Sequence, residues 1–113
     1  TSEHQLGLSV DINADQTKCS SEEVYSWLDN NAYKYGFIKR YPSSKSYITG
    51  INNEPWHYRY VGKEAAATIK NQNLCLEEYL KNINSKTVFS TRIRVILYRN
   101  NTRRKRKWMR IFC

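Results

Sequence analysis

Long hydrophobic runs are missing from this chain. None of its 113 residues fall in an apolar stretch of about 18 or more, so no segment has the make-up of a membrane-spanning helix. No signal-peptide pattern opens the sequence either. The chain starts without methionine and runs at once into motif-dense sequence, so it is expected to be an N-terminally truncated fragment. Cysteine is sparse: Cys19, Cys75 and Cys113 lie far apart and form no C-x-x-C pair, which argues against a thiolate zinc site. They are expected to be small, semi-buried residues. Histidine occurs only twice, as His4 and His57. Acidic residues are absent from 81–113 altogether.

That last absence divides the chain. Residues 1–80 carry eight Lys/Arg against all ten acidic residues, a net charge of −2, whereas residues 81–113 carry the other eleven cations, a net of +11. The overall +9 is therefore a property of the tail. A hydrophobic fraction of 40% with 13% aromatics suffices for one modest core in one domain.

Leu8, Val10 and Ile12 alternate with Ser9 and Asp11 after Gly7, which predicts a short strand. Ser20 and Glu23 form a capping box ahead of Val24, Trp27, Leu28, Ala32 and Tyr35 at helical spacing, and Gly36 is placed to end that helix in a left-handed turn. Phe37–Tyr41 predicts a strand, 42–53 a loop, and Trp56–Val61 a second alternating strand with His57, Arg59 and Val61 on one face. Pro55 forces extended geometry on Glu54. Helices are predicted over Lys63–Lys70 and near Leu74–Leu80, a strand over 92–98, and a cationic run too polar to pack over 99–110.

Each histidine sits in an unusual cluster: Ser2-Glu3-His4-Gln5-Leu6-Gly7-Leu8-Ser9-Val10-Asp11 and Glu54-Pro55-Trp56-His57-Tyr58-Arg59. His4, Asp11 and His57 supply two imidazoles and a carboxylate, the ligand count of a catalytic zinc with a fourth position open to water. His4 and Asp11 are seven positions apart, which on a flat strand puts them on opposite faces. A turn or bulge at Gly7 brings His4 back over Asp11. Glu54, three residues before His57, reaches a water held there without itself being a ligand. Zinc acidifies water and polarises an amide carbonyl, and Glu54 would serve as general base and acid. Taken singly, each signal has a duller explanation: a satisfied core histidine, a turn aspartate, a solvated glutamate, packing aromatics. The two compact, chemically matched clusters together favour the metal site.

The pattern S-x-H-x-x-G-x-x-x-D followed by E-x-W-H resembles the VanY-type D,D-carboxypeptidases, relatives of the vancomycin-resistance peptidases. The resemblance extends over Ser2–Asp15, Trp27–Pro42, Thr49–Ala66 and Leu76–Leu80, roughly residues 1–80. It implies an α+β fold, a small antiparallel sheet flanked by helices, shared with the Hedgehog signalling domain and the D,D-peptidases. It also implies Zn2+ held by His4, Asp11 and His57, Glu54 as the catalytic base, Ser2 near the substrate's terminal carboxylate, and a peptidoglycan stem peptide as substrate. The domain is expected over 1–84, with a basic tail of uncertain origin over 85–113. The enzyme is expected at the bacterial cell envelope, outside the cytoplasm. Two departures stand out. Family members carry an additional N-terminal part with an arginine that contacts substrate, and Ser9 stands where a small apolar residue is usual.

Other readings remain open at this level. An L,D-carboxypeptidase acting on tetrapeptide stems fits the same residues, as does an inactive zinc- or peptidoglycan-binding fragment. The tail reads either as non-native coding, frameshifted or fused, or as a cationic anchor for anionic cell-envelope polymers. Arg103–Lys107 with Trp108 has the composition to pair phosphates and stack a base, but the body carries the wrong charge for a nucleic-acid face, and none is expected as a partner. No cysteine shares a motif with His4 or His57, which disfavours a cysteine hydrolase.

Overall fold

The computed structural model describes residues 2–90. The strand predicted over 92–98 and the cationic run over 99–110 lie outside the described residues. Three strands, β1 (Ser9–Asp11), β2 (Phe37–Lys39) and β3 (His57–Tyr60), pair antiparallel in the order β1-β3-β2. Helices α1 (Ser21–Asn31), α2 (Ser46–Thr49) and α3 (Lys63–Asn71) accompany them. The result is the α+β arrangement expected from the sequence. Chain contacts divide at Tyr79 and Leu80. Helical backbone resumes at residue 76 and is present through 90, so 85–90, read as the start of the tail, are helical. No described helix is long and apolar enough to cross a membrane.

The capping box forms as the sequence predicts. Glu23 N–H donates to Ser20 Oγ at 3.2 Å, and Ser20 N–H donates to the Glu23 carboxylate at 2.8 Å. The predicted continuous helix to Tyr35 instead tightens into a 3-10 turn over Ala32–Tyr35. Asn30 and Asn31 explain the change: their side-chain amides donate to the carbonyls of Ser26 and Trp27, competing with the helical ladder where it ends. The segment 42–53 is likewise not a featureless loop. It holds a 3-10 turn at Ser43–Lys45 and the single turn α2, closed by Gly50 in the left-handed region.

The sheet presents two faces. On one, Tyr58 (1% exposed) packs with Leu28 and Ala32. On the other, Ile38 packs with Ala66, Ile69 and Leu76. A polar knot joins the elements: Asp29 on α1 accepts from Tyr58 Oη at 3.1 Å and pairs with Lys39 at 2.6 Å, while its carbonyl accepts from Lys70 at 2.6 Å. Burial first, then the neighbouring Asp29 carboxylate, pushes the Tyr58 phenol far above its ordinary range. It is held as a neutral donor. Cys19 and Cys75 are free thiols, the latter fully buried.

Gly36 is required twice over. Its φ is +88°, and a Cβ there would lie 2.7 Å from the Tyr60 ring and 3.1 Å from the Gly62 backbone. Its carbonyl accepts from both Val61 and Gly62 N–H. Gly36→Ala is expected to destabilise the fold by at least about 2 kcal/mol, left-handed strain plus steric displacement, measured by urea denaturation.

Candidate metal centre

The strand register builds the site. Asp11 on β1 lies directly opposite His57 on β3, and Ser9 lies opposite Arg59, so all four side chains share one face. The ladder continues beyond the strands, with Ile12 N–H bonded to Trp56 C=O at 2.9 Å and Tyr60 N–H to Leu8 C=O at 2.8 Å. Gly7, at φ +68°, turns the chain back: its N–H donates to His4 C=O at 3.0 Å, and Leu8 N–H donates to Glu3 C=O at 3.2 Å. The odd spacing of His4 and Asp11 is thereby reconciled with a shared face.

His4, Asp11 and His57 come together. Each offers a donor atom, and all three atoms lie within 4.8 Å of one another. Asp11 Oδ1 is 3.4 Å from both His4 Nε2 and His57 Nδ1. Donors about 2.0–2.1 Å from a tetrahedral zinc stand about 3.3 Å apart, so the two Asp11–imidazole separations and the N, N, O donor set suit that ion. The two imidazoles meet edge to face, with centroids 4.7 Å apart. His57 is buried, whereas His4 and Asp11 are exposed enough for an ion and a substrate to reach them.

Glu54 is adjacent but outside this triad. A tight turn carries it, in which His57 N–H donates to Glu54 C=O at 3.3 Å, while Glu54 N–H donates to Tyr41 C=O at 3.1 Å. Its carboxylate Oε2 lies 3.5 Å from His57 Nδ1. Ser2 is exposed, and its hydroxyl accepts from His4 N–H at 3.3 Å, stiffening the turn.

Sequence reasoning missed what lies behind the triad. The Glu3 carboxylate faces His57 Nε2 at 3.4 Å and takes Arg40 Nε and Arg59 Nη1, each at 2.9 Å, and Ser9 Oγ at 2.9 Å. Burial acts to raise the Glu3 carboxyl, but hydrogen bonds from Arg40 and Ser9 outweigh it and hold the group below its usual range. Arg40 also pairs with Glu77 at 2.7 Å. Tyr41 was overlooked too, and its ring packs 5.1 Å from that of His57. The only local signal for this cluster was Glu3 standing beside His4.

Such a centre, two imidazoles and a carboxylate on one face of a small antiparallel sheet, could hold one metal ion on an α+β scaffold. The family model described as VanY, D-alanyl-D-alanine carboxypeptidase, matches residues 1–63. A D-alanyl-D-alanine carboxypeptidase of Enterococcus faecalis is 68% identical over 80 residues, covering 71% of this chain and 30% of its own length. Among solved structures, VanYB in complex with D-alanine-D-alanine superposes with a TM-score of 0.70 at 67% identity, covering 72% of this chain and 45% of that one. A vancomycin-resistance D,D-pentapeptidase VanY mutant in complex with Zn(II) gives 0.69 at 68%, covering 71% and 45%. The LD-carboxypeptidase LdcB gives 0.64 at 46%, covering 71% and 40%. The chain belongs to the VanY family, and it spans about a third of the curated relative and under half of these solved chains.

Glu77 supplies a pH test of the cluster behind the site. Burial raises its carboxyl, but the Arg40 hydrogen bond and a backbone N–H outweigh that and leave it below the ordinary 4.5. A carboxyl depressed in the fold contributes stability that is fully present above 4.5 and is lost as pH falls toward the folded value. The urea midpoint is expected to decline below about pH 4.5, and Glu77→Gln to lower it at neutral pH while flattening that acid slope.

Proposed function

We propose that this chain forms the metal-binding part of a zinc carboxypeptidase that removes the C-terminal D-alanine from peptidoglycan stem peptides. The observation that carries the reading is the 3.4 Å spacing of Asp11 Oδ1 from both imidazoles, with the Glu54 carboxylate at their edge. Support comes from the relatives' own names, from the Zn(II) complex of one and from the D-alanine-D-alanine complex of another.

Zinc, when bound, acidifies water to near neutrality and polarises the scissile carbonyl. The residues do the rest. His4, Asp11 and His57 would hold the ion. Glu54, outside the ligand triangle, takes the proton of the attacking water and delivers it to the departing amine. Ser2, exposed next to His4, would meet the substrate's terminal carboxylate.

D,D specificity is favoured over L,D because identity to the D,D enzymes, 67–68%, exceeds the 46% to LdcB. Comparing D-alanine release from pentapeptide and tetrapeptide stems decides between them. Binding of muropeptide with no amine release would instead favour an inactive binding fragment. Glu54→Gln is expected to retain zinc and lose about 10²–10⁴-fold in turnover, and chelation of zinc to abolish turnover until the ion is restored. Retained turnover in Glu54→Gln would remove the general-base assignment.

The proposal extends to place and tail. An enzyme of this substrate acts at the bacterial cell envelope, outside the cytoplasm. The eleven cations and no acid in residues 81–113 suit a contact with anionic envelope polymers or lipid headgroups. Deleting 86–113 is expected to abolish salt-sensitive binding to anionic vesicles; unchanged binding would remove the anchor.

A further inference from the structure

We propose that Glu3 is a positioning residue for the metal centre: by accepting the Nε2–H of His57, it fixes the ring so that Nδ1 faces the ion. This rests on reading His4, Asp11 and His57 as a metal site. An imidazole binds a metal through its unprotonated nitrogen, so the other nitrogen carries the proton and needs an acceptor. In His57 the two nitrogens face different partners. Nδ1 stands 3.4 Å from Asp11 Oδ1, on the ligand side, and Nε2 stands 3.4 Å from Glu3 Oε2, on the far side.

Glu3 is built for this one task by its surroundings. Oε1 is occupied by Arg40 Nε and Arg59 Nη1, and Oε2 is turned toward His57 with Ser9 Oγ donating to it. Both oxygens are engaged, so the carboxylate neither rotates freely nor joins the triad as a fourth ligand. Two arginines against Glu3 and Glu77 make the cluster neutral overall, so its contribution is orientation rather than added negative charge at the ion. The same Gly7 turn that returns His4 to Asp11 also delivers Glu3 behind His57, because Leu8 N–H bonds to Glu3 C=O. Adjacent residues thus serve the two sides of the site. The serine at position 9, which as sequence stood out only as a mild departure, is buried and gives its hydroxyl to this acceptor.

The test uses the complete 113-residue chain and zinc alone, titrated against a chromophoric chelator, for wild type, Glu3→Ala and Glu3→Gln. Glu3→Ala is expected to weaken zinc binding about 10–100-fold, and Glu3→Gln to recover only part of that loss, because its amide oxygen can still accept the Nε2–H but its NH2 then faces the Arg40 and Arg59 donors. Long-range proton–nitrogen NMR of the zinc-loaded wild type is expected to show His57 protonated at Nε2 and coordinated through Nδ1. This spectrum decides the matter even if Glu3→Ala fails to fold. Coordination through Nε2, or a folded Glu3→Ala that binds zinc within about twofold of wild type, would overturn the role of Glu3. A wild-type chain that takes up no zinc would overturn the metal reading itself.

Discussion

The antiparallel register of β1 on β3 is the constraint on which the site depends. It sets Asp11 across from His57, and a slip of one residue would send Asp11 to the opposite face. Burial enforces the register, because Tyr58 must enter the core on one side for His57 to stand on the other. The third donor, His4, lies beyond the strand and reaches the same point only because Gly7 adopts a left-handed turn. Three donors contributed by two strands and one turn therefore converge through backbone geometry, before any ion contributes binding energy.

Around that centre the chain spends its charged side chains on order. Asp29 gathers Tyr58, Lys39 and Lys70 on one face of the sheet, and Glu3 gathers Arg40, Arg59 and Ser9 on the other. Glu3 is partly buried and Asp29 exposed, but each bonds several partners at once, which fixes side-chain positions more firmly than a single exposed pair does. Alongside the two small apolar clusters, this polar framework orders the face that carries His4, Asp11 and His57.

Much of this was legible in the sequence because its signals are local. The capping box spans three residues, Gly36 follows directly on its helix, and the strand around His57 alternates in plain view. The odd spacing of His4 and Asp11 itself demanded a turn, and a glycine stood between them. What was illegible is long-range. Glu3 meets Arg40 across 37 positions and His57 across 54, and no periodicity marks such pairs. The 3-10 ending of α1 was hidden for a different reason: two asparagine side chains compete for carbonyls at a point where the apolar pattern still reads as helix.

The most direct test of the central claim is zinc-edge X-ray absorption on the stoichiometrically loaded chain. The account predicts one zinc per chain in a four-coordinate nitrogen and oxygen shell at about 2.0–2.1 Å, with outer-shell scattering from two imidazoles. A shell containing sulfur at about 2.3 Å, or one imidazole only, would contradict it.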